Sequence, residues 1–312
     1  MPNPTSLQTA VANKTLLKLD GSMSTPLEAL GADLNHPLWT AKVIKEKPEL
    51  IEKVHYDYFK AGANITITAS YQGALQGFLD NGYTEADAIK AISDTVRLAA
   101  KAREKVQSEG VTEPLWIAGS VGPYGAYLAN GAEYRGDYNL PEADYVKFHE
   151  ARIKTLLGAG ADVLALETMP NFDEIKALAN YTATLPNCAV YVSCTLQDEA
   201  HISDGTPFTD VQAFLETAPH VLAYGINCVK PDLVTGALQN LAPKATKPLV
   251  VYPNGGATYD PITKTWDHKT TLRHHFEANL TDWLNAGARW IGACCGSTAK
   301  DIQDLTELLA KQ

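Results

Sequence analysis

The chain has no long apolar stretch: nowhere in its 312 residues is there a run of the roughly 18 apolar residues that a transmembrane helix needs. The first 14 residues are mostly polar, contain two prolines and lack the apolar core of a secretory signal. We therefore predict a cytoplasmic protein with no membrane partner, in which residues 1–14 form a flexible N-terminal segment.

Positive charge is also scarce. Lys and Arg number 26 against 36 Asp and Glu, which gives a net charge of −10, and no basic cluster with interleaved aromatic residues occurs. Because binding to a phosphate backbone depends on such clusters, nucleic acid is excluded as an expected partner.

Cysteine is too rare, and odd in number, for a disulfide framework. The five cysteines of a chain predicted to occupy a reducing compartment are expected to be free thiols, available for metal binding or catalysis.

Eight short apolar runs alternate with segments of helical pattern, which predicts a single-domain α/β protein over residues 1–312. The runs are 15–20, 64–70, 115–120, 162–168, 189–195, 223–228, 248–254 and 288–295, and the clearest helical patterns are 39–61, 85–106, 142–157, 173–185 and 273–286. Ala-Gly-Ala turns at 61–63, 159–161 and 286–288 suit helix ends that lead into the next strand. The pattern favours a closed (β/α)8 TIM barrel. A doubly wound open sheet is the alternative, but no glycine-rich phosphate fingerprint follows the first run.

Polar residues stand where several of these runs end, and the carboxyl ends of barrel strands share one face. Cys228 ends the sixth run, and the pair Cys294 and Cys295 ends the eighth. Adjacent cysteines form a strained disulfide but can serve as two metal ligands, so the three thiols predict a zinc site with one open position. Buried apolar cysteines and a redox-active vicinal pair are the alternatives.

Two carboxylates, Asp20 and Glu167, also end apolar runs, where a charge is costly without a partner. We predict that they bind a substrate ammonium group, the alternatives being a helix cap or a structural ion pair. The Gly119–Gly125 segment could donate backbone amides to a carboxylate or could be a plain turn.

The other candidate ligands are interpreted as structural. Cys188 and Cys194 are expected to be buried apolar residues, because neither has a neighbouring ligand in sequence. The histidines His201, His268, His274 and His275 are expected to be solvated, because their spacing matches no metal site.

The chain resembles the cobalamin-independent homocysteine S-methyltransferases of the S-methylmethionine type. The motifs that carry the resemblance span nearly the whole sequence: LDGSMSTPLE (19–28), ITASYQ (67–72), AGSVGPYGA (118–126), EYRGDY (133–138), ETMPN (167–171), GINC (225–228), YPN (252–254) and IGACCGST (291–298). Ala293, before the double cysteine, and Ser22 depart from residues often found in relatives.

The resemblance implies a Zn2+ ion held by Cys228, Cys294 and Cys295, with the homocysteine sulfur in the open position and Asn254 as a ligand in the empty enzyme. Asp20 and Glu167 would bind the homocysteine ammonium group, and further substrate contacts are predicted for Gly21, Thr68, Ser120 and Asn227. Neither folate nor cobalamin is expected.

The predicted reaction is methyl transfer from a sulfonium donor, S-methylmethionine or S-adenosylmethionine, to homocysteine, giving methionine. Tyr71, Tyr124 and Tyr252 could hold the sulfonium by cation–π contact or could simply pack at the rim. Transfer to another thiol or a selenol such as selenocysteine, a zinc hydrolase, and a non-enzymatic thiol sensor are the alternatives. The sequence predicts no oligomeric state.

Overall fold

A computed structural model describes residues 6–36, 38, 40–255, 258–260, 265–267 and 271–312. Its strands are β1 (Leu17–Lys18), β2 (Ile65–Ile67), β3 (Trp116–Val121), β4 (Val163–Met169), β5 (Val190–Cys194), β6 (Val221–Asn227), β7 (Leu249–Tyr252), β8 (Thr258–Asp260), β9 (Thr265–Asp267) and β10 (Ala288–Ile291). All strands except β8 and β9, which form a separate antiparallel hairpin, belong to one parallel sheet.

The sheet closes into a barrel. Its strand order is β1-β10-β7-β6-β5-β4-β3-β2, and a parallel bridge between Leu19 and Ile65 joins the two end strands. The backbone N–H of Asp20 donates to the carbonyl of Ile65 at 3.0 Å across the same seam. The eight runs identified in the sequence are thus the eight barrel strands, which confirms the predicted TIM-barrel fold.

Helices cover the outside of the barrel. They are α1 (Leu7–Ala12), α2 (Ser24–Ala29), α3 (Thr40–Glu46), α4 (Pro48–Lys60), α5 (Leu75–Asp80), α6 (Glu85–Ser108), α7 (Tyr124–Tyr127), α8 (Glu142–Gly158), α9 (Phe172–Ala183), α10 (Phe208–Glu216), α11 (Val234–Leu241), α12 (Leu272–Asn285) and α13 (Ala299–Leu309), with short 3-10 turns at Ala132–Tyr134, Pro231–Leu233 and Ala242–Lys244. No helix in the described part of the chain has both the length and the apolar character of a membrane span.

The helical segment predicted over 39–61 differs from the structure in one respect. It is divided into α3 and α4 at Lys47, directly before Pro48. Proline removes a backbone donor and disfavours helical conformation in the residue before it, so the first helix ends and a second begins with Pro48.

The three Ala-Gly-Ala turns end α4, α8 and α12. Gly62, Gly160 and Gly287 have φ values of 104°, 97° and 101°, a left-handed conformation that glycine adopts without steric cost. Each turn leads directly into a barrel strand, namely β2, β4 or β10. The repeated turn therefore sets where strands begin.

The N-terminal segment predicted to be flexible contains an ordered helix. Ser6 caps α1 by accepting a hydrogen bond from the N–H of Thr9, and Leu7 and Ala10 are buried. Both pack with inward-facing barrel residues such as Leu17 and Trp290. The apolar side of this short helix thus joins the core inside the barrel, and residues 1–5 lie outside the described residues.

Alternation along the strands separates the interior of the barrel from the layer beneath the helices. In β4, Val163 and Ala165 face the interior, whereas Leu164 and Leu166 pack with residues of the helical layer. Because side chains alternate along a strand, Glu167 follows on the interior side. The strand pattern thus places a carboxylate at the mouth of the barrel.

Candidate metal and substrate site

Three cysteine sulfurs meet at the carboxyl ends of β6 and β10. The Sγ atoms of Cys228, Cys294 and Cys295 all lie within 4.8 Å of one another, and those of Cys228 and Cys295 are 3.6 Å apart. In the sheet, β7 separates the two strands that carry them. The barrel therefore brings together the three residues that the sequence analysis selected as metal ligands.

The segment that follows β7 holds both cysteine-bearing loops. The N–H of Cys294 donates to the carbonyl of Pro253 at 2.7 Å, and the N–H of Gly255 donates to the carbonyl of Cys295 at 2.7 Å. On the other side, the N–H of Asn254 donates to the carbonyl of Val229. These backbone bonds hold the loops that carry the sulfurs.

Cys228 adopts a left-handed conformation, with φ of 53°. Such conformations are uncommon for residues other than glycine and cost free energy unless surrounding contacts hold them. Here the N–H of Cys228 is held by the carbonyl of Tyr252 at 3.1 Å. The turn is part of the local geometry that sets where the Cys228 sulfur lies.

The three thiols shift one another's pKa values. Hydrogen bonds from Cys228 and then Cys294 hold the pKa of Cys295 well below its usual range. The pKa of Cys294 is raised, first by its hydrogen bond to Cys228 and then by that to Cys295. Three thiolates this close together need a cation, so the donor set fits a thiophilic metal ion.

A pocket at the barrel mouth gives access to the sulfurs. It is lined by Gly21, Thr68, Tyr71, Tyr134, Glu167, Thr168, Tyr252 and the three cysteines, among others, and encloses about 620 Å³, part of it open to solvent. Of the predicted substrate-binding residues, Gly21, Thr68 and Glu167 line this pocket.

Glu167 is held in place by two hydroxyl groups. One carboxylate oxygen accepts a short hydrogen bond from Ser120, and the other accepts one from Tyr252 at 3.2 Å. Burial is the main reason that the pKa of Glu167 is raised to about 7. A bound cation would favour its ionised form, which is what an ammonium-binding group requires.

Asp20 is almost fully buried, and one of its oxygens is unpartnered. Its Oδ2 accepts from the Thr66 hydroxyl at 2.7 Å and from the Ile67 N–H at 2.8 Å, whereas Oδ1 has no hydrogen-bond partner. Burial raises the pKa of Asp20 to about 8, and the charge of Glu167 adds to this effect. Two buried carboxylates that repel each other are suited to binding a shared cation.

A histidine supports Asp20 from the helical layer. The hydroxyl of Thr66 donates to Asp20, so its oxygen is free to accept from Nδ1 of His55 at 2.7 Å. Burial lowers the pKa of His55 to about 3, which keeps the ring neutral, with its proton on Nδ1. The His55–Thr66 pair thus fixes the Asp20 carboxylate without adding charge.

Two of the predicted substrate contacts act on neighbouring protein groups in the structure. Asn227 is fully buried and binds Thr168 twice, accepting from its N–H and donating to its hydroxyl, both at 2.8 Å. Ser120 is also fully buried and donates to Glu167. Neither lines the pocket. Thr168 has φ of 60°, so the Asn227 bonds hold a residue in an uncommon conformation at the pocket wall.

Gly21 occupies a position where no side chain fits. A Cβ atom there would lie 2.7 Å from both the Ser297 hydroxyl and the Tyr58 hydroxyl. Thr68 lies opposite and accepts from the N–H of Ser120 at 2.9 Å, with its hydroxyl bound to that of Ser70. Both residues shape the pocket wall.

The side-chain oxygen of Asn254 is buried and has no hydrogen-bond partner. An unpartnered buried oxygen is costly, and it is also a donor atom that a metal can use. Its assignment as a ligand in the empty enzyme stays a prediction.

Two residues at the site were not selected from the sequence. Glu133 and Tyr134 lie in the 3-10 turn Ala132–Tyr134, and the Tyr134 hydroxyl is 3.2 Å from the sulfur of Cys228. Glu133 is half-buried, which raises its pKa, and one of its carboxylate oxygens has no hydrogen-bond partner. The EYRGDY motif was visible in the sequence. It lies far from every cysteine along the chain, however, so the sequence did not reveal the contact between Tyr134 and Cys228.

The tyrosines predicted to surround a sulfonium have different positions. Tyr71 and Tyr252 line the pocket, and the hydroxyl of Tyr252 is bound to Ser193 and Glu167. Tyr124 instead packs against Tyr127 and Phe148. Only the first two have rings at the site.

The Gly119–Gly125 segment runs from the end of β3 to the start of α7 and is bound by a buried charged network. The N–H of Tyr124 donates to Glu174, and Arg152 donates to the carbonyls of Gly122 and Tyr71 at 2.6 and 2.7 Å. Arg152 also donates to His149, whose other ring nitrogen bonds Glu174 at 2.7 Å. Here the amide of Tyr124 is used by the protein itself, and the network fixes the loops that carry Tyr71 and Glu133.

The remaining cysteines and histidines lie apart from the thiol cluster. Cys188 and Cys194 are buried, which raises the pKa of both thiols. His201 pairs with Asp198 at the surface. Within the described part of the chain, Cys228, Cys294 and Cys295 form the one group with metal-ligand geometry; His268 lies outside the described residues.

Comparison with known proteins identifies the family of the chain. The family model described as homocysteine S-methyltransferase matches residues 17–309. The homocysteine S-methyltransferase of Escherichia coli (strain K12) is 48% identical over 300 residues, covering 96% of this chain and 97% of the relative. The crystal structure of the homocysteine methyltransferase from Escherichia coli in its metallated form superposes with a TM-score of 0.88 at 46% identity, covering 98% of this chain and 99% of that one.

A relative with a different acceptor in its name is more distant. The selenocysteine Se-methyltransferase of Brassica oleracea var. italica is 35% identical over 331 residues, covering 99% of this chain and 95% of the relative.

Proposed function

The chain belongs to the homocysteine S-methyltransferase family, and from this premise we propose that it transfers the methyl group of a sulfonium donor to homocysteine, using zinc. The observation that carries the proposal is the cluster of three thiols beside two buried carboxylates, whose negative charge a bound cation would stabilise. The thiols would bind the metal, and the carboxylates would bind the ammonium group of the amino acid.

The spacing of the sulfurs suits zinc. Two thiolates bound to one tetrahedral zinc at about 2.3 Å lie about 3.8 Å apart. The Cys228–Cys295 sulfur distance of 3.6 Å is close to that value. When bound, zinc would lower the pKa of the homocysteine thiol, so that the thiolate is available near neutral pH.

The residues of the chain would orient the acceptor. Glu167, fixed by Ser120 and Tyr252, and Asp20, fixed by Thr66, would hold the ammonium group of homocysteine. The thiol group of the amino acid would then point toward the cysteines. Such positioning lowers the entropic cost of bringing acceptor and donor together.

The transfer is balanced without a redox partner. The homocysteine thiol loses its proton to solvent, and the thiolate attacks the methyl carbon of the sulfonium in line. A new carbon–sulfur bond forms, and the old bond breaks with its electron pair returning to the donor sulfur. With S-methylmethionine both products are methionine, and with S-adenosylmethionine the second product is the demethylated thioether. Because thiolate and sulfonium charges cancel, a pocket that excludes water favours the reaction.

The experiment is a donor panel with a metal control. Methionine formation would be measured with S-methylmethionine, S-adenosylmethionine and betaine, with and without homocysteine and with and without a chelator. We expect the donor to lose its methyl group only when homocysteine and metal are present. The rate should be higher with the sulfonium donors than with betaine. Loss of the donor without homocysteine would favour a zinc hydrolase instead, and no turnover at all would favour a thiol sensor.

Selenocysteine is a second candidate acceptor. The observation that favours it is the relative whose name contains that acceptor. Parallel rates with homocysteine and selenocysteine would decide between the two. A hydrolase is disfavoured because three thiolates donate negative charge, which would make a metal-bound water a weaker acid. The cytoplasmic location stays a prediction.

A further inference from the structure

A second cleft reaches the thiol cluster from outside the acceptor pocket. Its lining includes Tyr71, Gln72, Glu133, Tyr134 and Cys295. Three of these, Tyr71, Tyr134 and Cys295, also line the pocket that contains Glu167. The two spaces therefore meet at Cys295, beside the thiol cluster, as a reaction between two bound molecules requires.

Two residues that line this cleft each have a side-chain oxygen without a hydrogen-bond donor among the described residues. Oε1 of Gln72 and Oε2 of Glu133 are buried, and neither has a partner. The amide of Gln72 cannot simply be turned over, because its Nε2 donates to the carbonyl of Ala126 at 3.1 Å. A buried acceptor without a donor is costly, and more so when it carries charge.

The cleft therefore favours a cation that carries N–H groups. Its described lining residues include no Lys or Arg, and the one histidine among them, His36, accepts from the N–H of Leu38 through Nδ1. The nearby guanidinium of Arg135 is bound to Asp137 and to the carbonyl of Asn130. A primary ammonium group has three N–H donors and a positive charge, which matches one amide oxygen and one carboxylate oxygen.

We propose that Gln72 and Glu133 bind the α-ammonium group of the methyl donor, so that this cleft is the donor subsite. The inference rests on the proposed function and extends it by naming the residues that would bind the donor. The sulfonium itself has no N–H group and cannot satisfy either oxygen. With its ammonium group held here, the donor would direct its methyl group toward the thiol cluster, which the two spaces share at Cys295.

The test compares two sulfonium donors that differ in the ammonium group. S-methylmethionine has one, and 3-(dimethylsulfonio)propionate has none. With Glu133→Gln and, separately, Gln72→Leu, we expect kcat/KM for S-methylmethionine to fall about tenfold or more, as for loss of a charge-assisted hydrogen bond. For the truncated donor, kcat/KM, or its inhibition constant against S-methylmethionine if it reacts too slowly, should stay within about twofold.

Three control measurements accompany the variants. Zinc content and the KM for homocysteine should be unchanged, because the acceptor is held by Asp20 and Glu167. Melting temperature checks that each variant folds. Glu104→Gln removes an exposed carboxylate on α6 and should match the wild type with both donors.

The outcomes separate this inference from the proposed function. If the variants weaken both sulfonium donors equally, or weaken neither, the assignment of Gln72 and Glu133 to the ammonium group is overturned while the methyl transfer stands. If the wild-type protein transfers no methyl group from any sulfonium to homocysteine, the proposed function fails and the donor subsite fails with it.

Discussion

The sulfur of Cys228 lies 3.6 Å from the sulfur of Cys295, although 67 positions separate the two residues in the chain. The contact exists because β6 and β10 flank β7 and end at the same face of the barrel. Backbone bonds from the segment that follows β7 hold the loop of each cysteine. The folded backbone thus brings the three thiols together.

Replacing any one of the three cysteines should abolish both metal binding and methyl transfer. Cys228→Ala, Cys294→Ala and Cys295→Ala each remove one of three sulfurs that lie within 4.8 Å of one another. Zinc per protein would be measured by elemental analysis, alongside methionine formation. Cys188→Ala, a buried cysteine outside the cluster, is the matched control and should retain both. A metal-free variant with full activity would contradict the mechanism.

Neutralising either buried carboxylate should weaken homocysteine binding while zinc stays bound. Asp20→Asn and Glu167→Gln preserve shape but remove the charge that an ammonium group needs, so we expect the KM for homocysteine to rise about tenfold or more. The measurement is initial rate against homocysteine at saturating donor, with zinc content determined in parallel. An unchanged KM for homocysteine in both variants would reject the role of these carboxylates in binding the ammonium group.

Without substrate, the Asp20 carboxyl should make the protein less stable as pH rises. Burial raises its pKa from 3.8 to about 8, so between these values the folded protein binds a proton that the unfolded chain has released. The stability gained from protonated Asp20 is complete below about pH 4 and is lost as pH rises through about 8. The difference in melting temperature between wild type and Asp20→Asn should therefore grow over that interval. A difference that does not change with pH would contradict the prediction.

Asn227 should be essential for the pocket wall without touching the substrate. Asn227→Ala removes both hydrogen bonds to Thr168, whose φ is 60°, and leaves buried groups unpaired. We expect a loss of about 2–3 kcal/mol in the free energy of unfolding, together with a higher KM for homocysteine. Urea unfolding and steady-state kinetics measure the two effects. Asn240→Ala, at an exposed position, should change neither. A variant with native stability would show that the Asn227 bonds are dispensable.

Breaking the buried charged network should destabilise the barrel. Arg152→Met removes the donor to the carbonyls of Tyr71 and Gly122 and leaves Glu174 without the buried positive charge. Loss of one partner from a buried ionic network costs about 3–5 kcal/mol. Urea unfolding of this variant should show such a loss, whereas Arg97→Met on the exposed face of α6 should fall within about 0.5 kcal/mol of wild type. Equal effects of the two substitutions would contradict the role of the network.

Most of the fold was predictable because each barrel strand is a continuous apolar run and because the Ala-Gly-Ala turns at three helix ends have the same local form. Local chemistry accounts for both, since a buried parallel strand needs apolar residues on both faces and a left-handed exit favours glycine. The division of residues 39–61 into α3 and α4 was missed, although Pro48 was a local signal. Helix α1 was missed for another reason: its two buried residues are stabilised by the end of the barrel and not by their own segment.

The metal-ligand candidates were also readable from the sequence, whereas the second layer of the site was not. Asn227 ends a strand as a substrate contact might, yet its side chain is used by Thr168. Tyr134 and Glu133 have no sequence neighbour that reveals the thiols. Such partners are selected by distances between loops, and these depend on the packing of the whole barrel.

The sequence by itself determined the (β/α)8 architecture, the three thiols and the two carboxylates, because residue type and the position of each strand end are local properties of the chain. Only the tertiary structure decided that Tyr134 contacts Cys228, that His55 supports Asp20 through Thr66, and that Gln72 and Glu133 line one cleft. These relationships join distant segments, and their geometry follows from barrel closure and loop packing, which no short stretch of sequence encodes.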